Sequence, residues 1–306
     1  MTSASPMVGR FAPSPTGPLH LGNLRTSLVS YLHARTQHGI WKVRKEDLDR
    51  VTSSPAHEST QLDELALLGM TPDSPVVRQS ERFDLHHEAI GRLAELGRVY
   101  ECYCTRREIR DAAQAPHGAQ APYPGTCRDL TTSQHDAFRR AGRRPALRLR
   151  TAGEHFVIDD LVAGRITGAV DDVVLQRNDG VPAYNLAVVV DDAAQGVTHV
   201  VRGDDLLTST PAQILIQQLL GAPTPTYAHI PLVVAPDGTR LAKRHGAVTL
   251  EDLARRGVGP DVVLARLGAS LGLCAPTDRV DVVSLAEGFD IGAIPRQQWR
   301  LAPDEL

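Results

Sequence analysis

Lysine is almost missing from this sequence. Of its 33 basic residues only Lys42, Lys45 and Lys243 are lysines, and the other 30 are arginines. A GC-rich genome would produce such a bias, so a lysine that survives it inside a polar loop stands out. Basic charge is not in excess either: 36 acidic residues bring the formal net charge to −3. That balance argues against a chain whose main business is wrapping nucleic acid through a broad basic surface. Cysteine is scarce, at Cys102, Cys104, Cys127 and Cys274. Three of these fall close together and the fourth is distant, which makes a poor disulfide framework and a plausible metal cluster. No apolar run approaches the ~20 residues of a membrane-spanning helix. The start, Met1-Thr2-Ser3-Ala4-Ser5-Pro6, lacks the basic and apolar regions of a secretory signal. A cytoplasmic protein that spans no membrane is expected.

What is present is enough for a substantial core. The chain has 306 residues, 42% of them apolar, and at roughly 100–200 residues per domain it has room for two or three units. The first of them, 1–97, reads as strand, loop, helix, repeated. Val8–Ala12 is an extended run broken by Pro13-Ser14-Pro15-Thr16-Gly17-Pro18. Leu24, Leu28, Tyr31 and Leu32 then recur at helical spacing until Gly39, and Trp41–Leu48 reads as a second strand. Helical patterns follow at Glu58–Leu68 and Arg82–Leu96. This alternation predicts an α/β fold with a parallel sheet.

Residues 98–190 read as a separate α/β insertion. They hold three of the cysteines and four β-like runs: Ala146–Arg150, His155–Ile158, Val173–Gln176 and Ala183–Val190. Asn178-Asp179-Gly180 is a hairpin signal among them. The first pattern returns over 191–249 with Val197–Val201, a helix Thr210–Leu220 and a strand Ile230–Val234, and 250–306 reads as a small helical region.

Two segments carry chemistry. Arg10–Arg25, which reads RFAPSPTGPLHLGNLR, places a proline-stiffened loop and His20 at the start of a helix. Unpaired amides and the positive helix end face outward there, and Gly22 lets a flat ligand approach the backbone, so the segment describes a nucleotide site. Taken alone, His20 and Gly22 fit a simple helix cap with close packing better than a nucleotide site. The second segment, Ala235–Gly246 (APDGTRLAKRHG), puts Lys243 in a loop after a strand. There an ammonium on a flexible stem could follow a developing polyphosphate charge.

Together the two segments resemble the HIGH and KMSKS signatures of class I aminoacyl-tRNA synthetases, in the form found in glutamyl-tRNA synthetases. The resemblance runs from Arg10 to about Leu273, and it implies a Rossmann-type parallel-sheet catalytic domain. It also implies ATP binding by His20, Gly22 and Lys243, with His20 and Lys243 catalytic and Mg²⁺ accompanying ATP. Arg10, Ala12 and Ser14 match the stretch that contacts glutamate, Glu46 matches the acid that holds its α-amino group, and Tyr184 and Arg202 match residues that complete the pocket. A zwitterion with an extra carboxylate calls for such a set. Two departures stand out. The second signature reads Arg-Leu-Ala-Lys-Arg, and Lys45 occupies a strand position where an apolar residue is usual.

Cys102, Cys104, Tyr123 and Cys127 form a C-x-C…Y-x-x-x-C pattern that resembles the zinc site of one group, the glutamyl-Q tRNA(Asp) synthetases. It implies one structural zinc ion per chain, with the insertion as its setting. Only 63 residues follow Lys243, too few for an anticodon-binding domain, so none is expected. The resemblance therefore implies activation of glutamate without RNA, then its transfer to the queuosine base of tRNA(Asp), by a monomeric enzyme. A truncated glutamyl-tRNA synthetase charging tRNA(Glu) and a non-catalytic nucleotide- or RNA-binding paralogue are the alternatives.

Overall fold

The computed structural model describes residues 6–105, 107–109, 122–239 and 249–301. Its first part alternates as the sequence predicts. β1 (Val8–Phe11) leads to α1 (Leu21–Thr36), β2 (Ile40–Lys45), α2 (Pro55–Leu67), β3 (Val77–Arg78) and α3 (Phe83–Glu95). β1 lies parallel to β2, with Val8 opposite Ile40 and Phe11 opposite Val43. All four residues of β1 are buried, as expected of a parallel strand covered on both faces. Gly39 makes the join from α1 to β2 possible, because a Cβ there would sit 2.5 Å from the Met7 carbonyl oxygen.

The chain then leaves the parallel pattern for β4 (Val99–Cys102), α4 (Thr132–Arg140), β5 (Ala146–Leu149), β6 (His155–Asp160), β7 (Gly164–Ala169) and β8 (Val174–Gln176). β4, β5 and β8 form an antiparallel sheet, and β6 and β7 a hairpin. α5 (Tyr184–Ala194) leads back to β9 (His199–Gly203), α6 (Thr210–Leu220) and β10 (Thr226–Ile230). The completed main sheet is parallel throughout, in the order β10-β9-β1-β2-β3. β11 (Val233–Val234), α7 (Leu250–Arg255), α8 (Pro260–Ser270), α9 (Val282–Glu287) and β12 (Trp299–Arg300) follow.

Three readings of the sequence change. Ala183–Val190, expected as a strand, contains the first seven residues of helix α5, which runs across the 190/191 boundary. Its run Leu186–Val190 is rich in β-branched residues, but it packs with Ile90 and Leu93 of α3 and Leu215 and Ile216 of α6, and a segment enclosed in this way shows no clear period. Second, Ile230–Val234 spans the end of β10 and all of β11, and β11 pairs with β12 rather than with the main sheet. Third, the helical stretch from Leu250 is two helices, divided where Pro260 opens α8. The hairpin signal holds as a turn, with the Arg177 amide donating to the Val181 carbonyl at 2.8 Å.

α1 is the centre of the molecule. Leu24, Leu28 and Leu32 share one core with Leu253 of α7, Leu264 and Leu267 of α8 and Leu285 of α9. Buried Arg25 ties this core together, donating to the Pro231 carbonyl at 2.9 Å and to Ser270 Oγ at 3.0 Å. The C-terminal helices thus brace α1, which itself packs on β1, β2 and β9. No helix among the described residues is long and apolar enough to cross a membrane.

Candidate active site

In the strand order β10-β9-β1-β2-β3 the connections diverge from β1, to β2 on one side and to β9 on the other. Such a switch point opens a crevice at the carboxyl ends of the strands. Arg10 lies near that end of β1, Glu46 directly follows β2, and Arg202 lies near that end of β9.

Arg10 and Arg44 converge on one buried carboxylate, Asp192 of α5. Arg10 Nε lies 3.2 Å from Asp192 Oδ1, Arg44 Nη1 lies 2.6 Å from the same oxygen, and Arg44 Nη2 reaches Glu46 Oε1 at 3.2 Å. Burial works to raise the pKa of Asp192, but the two guanidinium groups outweigh it and hold the carboxyl below its ordinary value. For Glu46 burial prevails over Arg44 and Arg10, and its pKa is raised. An ammonium group arriving from a ligand would reverse that shift.

Arg202 is only 5% exposed. Its Nε donates to His229 Nε2 at 3.0 Å, Nη1 to Gln213 Oε1 at 2.7 Å and to Tyr184 Oη at 3.4 Å, and Nη2 to Thr210 Oγ1 at 2.8 Å. All these partners are polar or aromatic side chains without a carboxylate, and among the described residues Arg202 has no acidic ion-pair partner. A guanidinium has five N–H donors, so one remains beyond these four. Burial raises the pKa of Tyr184, and the charges of Arg202, Glu46, Arg10 and Asp192 all act on it. Four of the six pocket residues expected from the sequence, Arg10, Glu46, Tyr184 and Arg202, therefore share one electrostatic environment.

His20 caps α1. Its Nδ1 accepts the Asn23 amide at 3.2 Å, which leaves Nε2 free to donate outward. A Cβ at position 22 would lie 2.9 Å from His20 Cε1, so Gly22 is what lets the ring fold back over the helix start. The His20 backbone also bridges Thr249, the first described residue after the second signature loop. Lys243 itself lies outside the described residues. Ala12 is half-buried and Ser14 exposed.

The proline loop before His20 is clamped by α2. Gln61 Nε2 donates to the Ser14 carbonyl at 3.0 Å and the Gly17 carbonyl at 2.7 Å, and Glu64 accepts the Leu19 amide at 2.8 Å. Lys45, out of place as a strand residue, is fully buried and donates to Gln61 Oε1 at 2.8 Å. Burial lowers its pKa to about 8, against the pull of Glu58 and Glu64. Below that pH the folded protein carries the whole cost of a buried ammonium. Between pH 8 and its ordinary value of 10.5 the folded state sheds the proton first, so stability rises with pH. Lys45→Met should flatten this rise by about 2–3 kcal/mol, read from urea unfolding of both proteins across that range. Parallel curves would mean that Lys45 titrates normally.

The Sγ atoms of Cys102, Cys104 and Cys127 lie within 4.8 Å of one another. Tyr123 Oη accepts the Cys127 amide at 2.8 Å and lies 3.3 Å from Cys102 Sγ and 3.6 Å from Cys104 Sγ. Three soft sulfur donors and one phenolic oxygen around a common point fit a four-coordinate zinc ion. Cys274 stands apart, half-buried, donating to the Ala265 carbonyl at 3.3 Å.

Residues 6–279 match the model for the catalytic domain of class I tRNA synthetases (E and Q). A glutamyl-Q tRNA(Asp) synthetase of Nocardia farcinica is 55% identical over 97% of this chain and 94% of its own length. The chain belongs to the glutamyl-Q tRNA(Asp) synthetase family of class I tRNA synthetases. A glutamate–tRNA ligase of Carboxydothermus hydrogenoformans is 41% identical over 86% of this chain, but only 58% of that protein is covered. The crystal structure of glutamate-tRNA synthetase from Elizabethkingia anophelis superposes with a TM-score of 0.84 at 26% identity, over 98% of this chain and 69% of the other.

Within this family fold, the sequence did not identify Arg44, Asp192, Gln61, Glu64, Asp160 or His229, all of which hold the site together. One signal was available: Asp191-Asp192 interrupts an apolar run, and acids in such a place are buried only when paired.

Proposed function

We propose that this chain activates glutamate with ATP, in the absence of RNA, and transfers the glutamate to the queuosine base of tRNA(Asp). Buried Arg202 carries the reading: a guanidinium lacking an acidic partner among the described residues, beside Tyr184 and in one crevice with Arg10 and Glu46, suits an anionic amino acid. Arg202 and Arg10 capture carboxylate, Glu46 holds the α-ammonium, and Ala12 and Ser14 line the approach. The α-carboxylate of glutamate attacks the α-phosphorus of ATP, and pyrophosphate leaves. His20 at the helix start and Lys243 in the loop that ends beside it stabilise the charge that builds on the phosphates. Mg²⁺ arriving with ATP neutralises part of the same charge. A hydroxyl of the queuosine cyclopentenediol then attacks the adenylate carbonyl, loses its proton, and AMP departs.

Cys102, Cys104, Tyr123 and Cys127 hold one structural zinc ion per chain, which ties β4 to the segment around Cys127. The enzyme works as a cytoplasmic monomer. The two steps are tested separately. ATP–pyrophosphate exchange should depend on glutamate and proceed without RNA, and silence under those conditions would overturn the activation step. Radiolabelled glutamate transferred to bulk tRNA should map, after nuclease digestion, to the anticodon fragment of tRNA(Asp). Label at the 3′ end would instead make this a tRNA-charging enzyme.

A further inference from the structure

The partner that orients Arg202 is itself held from a distant part of the chain. Arg202 and His229 sit opposite each other on β9 and β10. Arg202 Nε donates to His229 Nε2 at 3.0 Å, and His229 Nδ1 lies 2.6 Å from Asp160 Oδ2. Asp160, the last residue of β6, also accepts the amides of His229, Val162 and Ala163 at 2.8–3.1 Å. All three side chains are buried. A carboxylate acceptor at Nδ1 and a guanidinium donor at Nε2 permit one tautomer only, with the proton on Nδ1. Burial lowers the pKa of His229, which agrees with a neutral ring.

We infer that Asp160 and His229 are positioning residues for glutamate binding, the carboxylate fixing the imidazole tautomer so that Nε2 holds the Arg202 guanidinium toward the pocket. The inference rests on the reading of Arg202 as a glutamate ligand. It gives the β6–β7 hairpin, which carries none of the site residues expected from the sequence, a part in substrate selection. Neither Asp160 nor His229 touches substrate, so their loss acts on glutamate affinity and leaves the chemical step alone.

The two amide replacements of His229 separate the two halves of the ring. Asparagine reproduces the Nδ1–H that faces Asp160 but cannot reach Arg202, whereas glutamine places an acceptor where Nε2 stands. In glutamate-dependent ATP–pyrophosphate exchange, His229→Asn should raise the KM for glutamate about tenfold with kcat within about twofold, since the lost bond involves a charged group. His229→Gln should recover most of that loss. Equal KM values for the two variants, or a fall in kcat alone, would overturn the inference. Arg202→Ala serves as the reference. If it raises KM while His229→Asn does not, positioning fails and the pocket stands; if it leaves KM unchanged, the reading of Arg202 itself fails. Adding His229→Asn to Arg202→Ala should raise KM no further. Nitrogen-15 spectra of the unmutated protein give a readout independent of folding defects: the His229 ring should carry its proton on Nδ1, and a proton on Nε2 would overturn the proposal.

Discussion

Arg202→Ala should raise the KM for glutamate by about 30-fold to several thousand-fold, corresponding to the 2–5 kcal/mol lost when one partner of a buried, hydrogen-bonded charge pair is removed. The size follows from surroundings already described. The guanidinium is almost entirely out of water, and His229, Gln213 and Thr210 hold three of its edges at 2.7–3.0 Å. Its orientation is fixed before the ligand arrives, and the positive charge it brings has no acidic partner among the described residues to neutralise it. An incoming carboxylate meets a prepared cation; in the alanine variant it meets a buried, uncharged cavity. Arg202→Lys should recover only part of the affinity, because an ammonium restores the charge without the planar fork that the three neighbours grip. Exchange rates measured across a range of glutamate concentrations at saturating ATP decide the matter. A change in KM below about threefold would remove Arg202 from the amino-acid pocket.

Asp192→Asn should lower the unfolding free energy by about 3–5 kcal/mol, the usual cost of stripping one partner from a buried ionic group. Asparagine keeps the size of the side chain and loses the charge that holds both Arg10 and Arg44. Those guanidinium groups are 3% and 0% exposed and cannot turn to water without opening β1 and β2. The pH dependence has a definite sign. The folded-state pKa of Asp192 is depressed, so its stabilisation is fully present above the unfolded value of about 3.9 and is lost as pH falls toward the folded value. Urea unfolding at neutral pH should show the full difference between the two proteins, and the difference should shrink in acid. Equal stability at neutral pH would mean that Asp192 is not the charge that compensates the pair.

The local grammar of the chain made much of this legible. β1, α1 and α6 stand almost where apolar spacing and the proline loop put them, because each carries a clear run of apolar residues and ends close to a strong breaker. Arg10, Glu46, Tyr184 and Arg202 are named through resemblance to a family, and the fold sets Tyr184 against Arg202 and within electrostatic reach of Glu46 and Arg10. The supporting residues were not legible, for a physical reason. His229 and Asp160 are 69 residues apart, and Arg44 meets Asp192 across 148. Neither pair leaves a periodic trace, since a buried polar contact depends on tertiary packing alone. α5 departs from the expected strand for the opposite reason, an excess of local signal: five apolar residues in a row, Leu186–Val190, say strand until α3 and α6 enclose them. Lys45 looked like an anomaly until Gln61 gave it a partner.

The helix read as a strand has one more implication. α5 carries Tyr184 at its first turn and Asp192 at its last, facing Arg202 and Arg10 respectively. A strand of that length would alternate its faces and could absorb a bulge between them. A helix advances about 100° per residue, so a single insertion between Tyr184 and Asp192 would swing the carboxylate away from both guanidinium groups while leaving the tyrosine in place. Length in this segment is therefore fixed on two counts: even a whole-turn insertion, which restores the direction of the carboxylate, would displace it by about 5.4 Å along the helix axis.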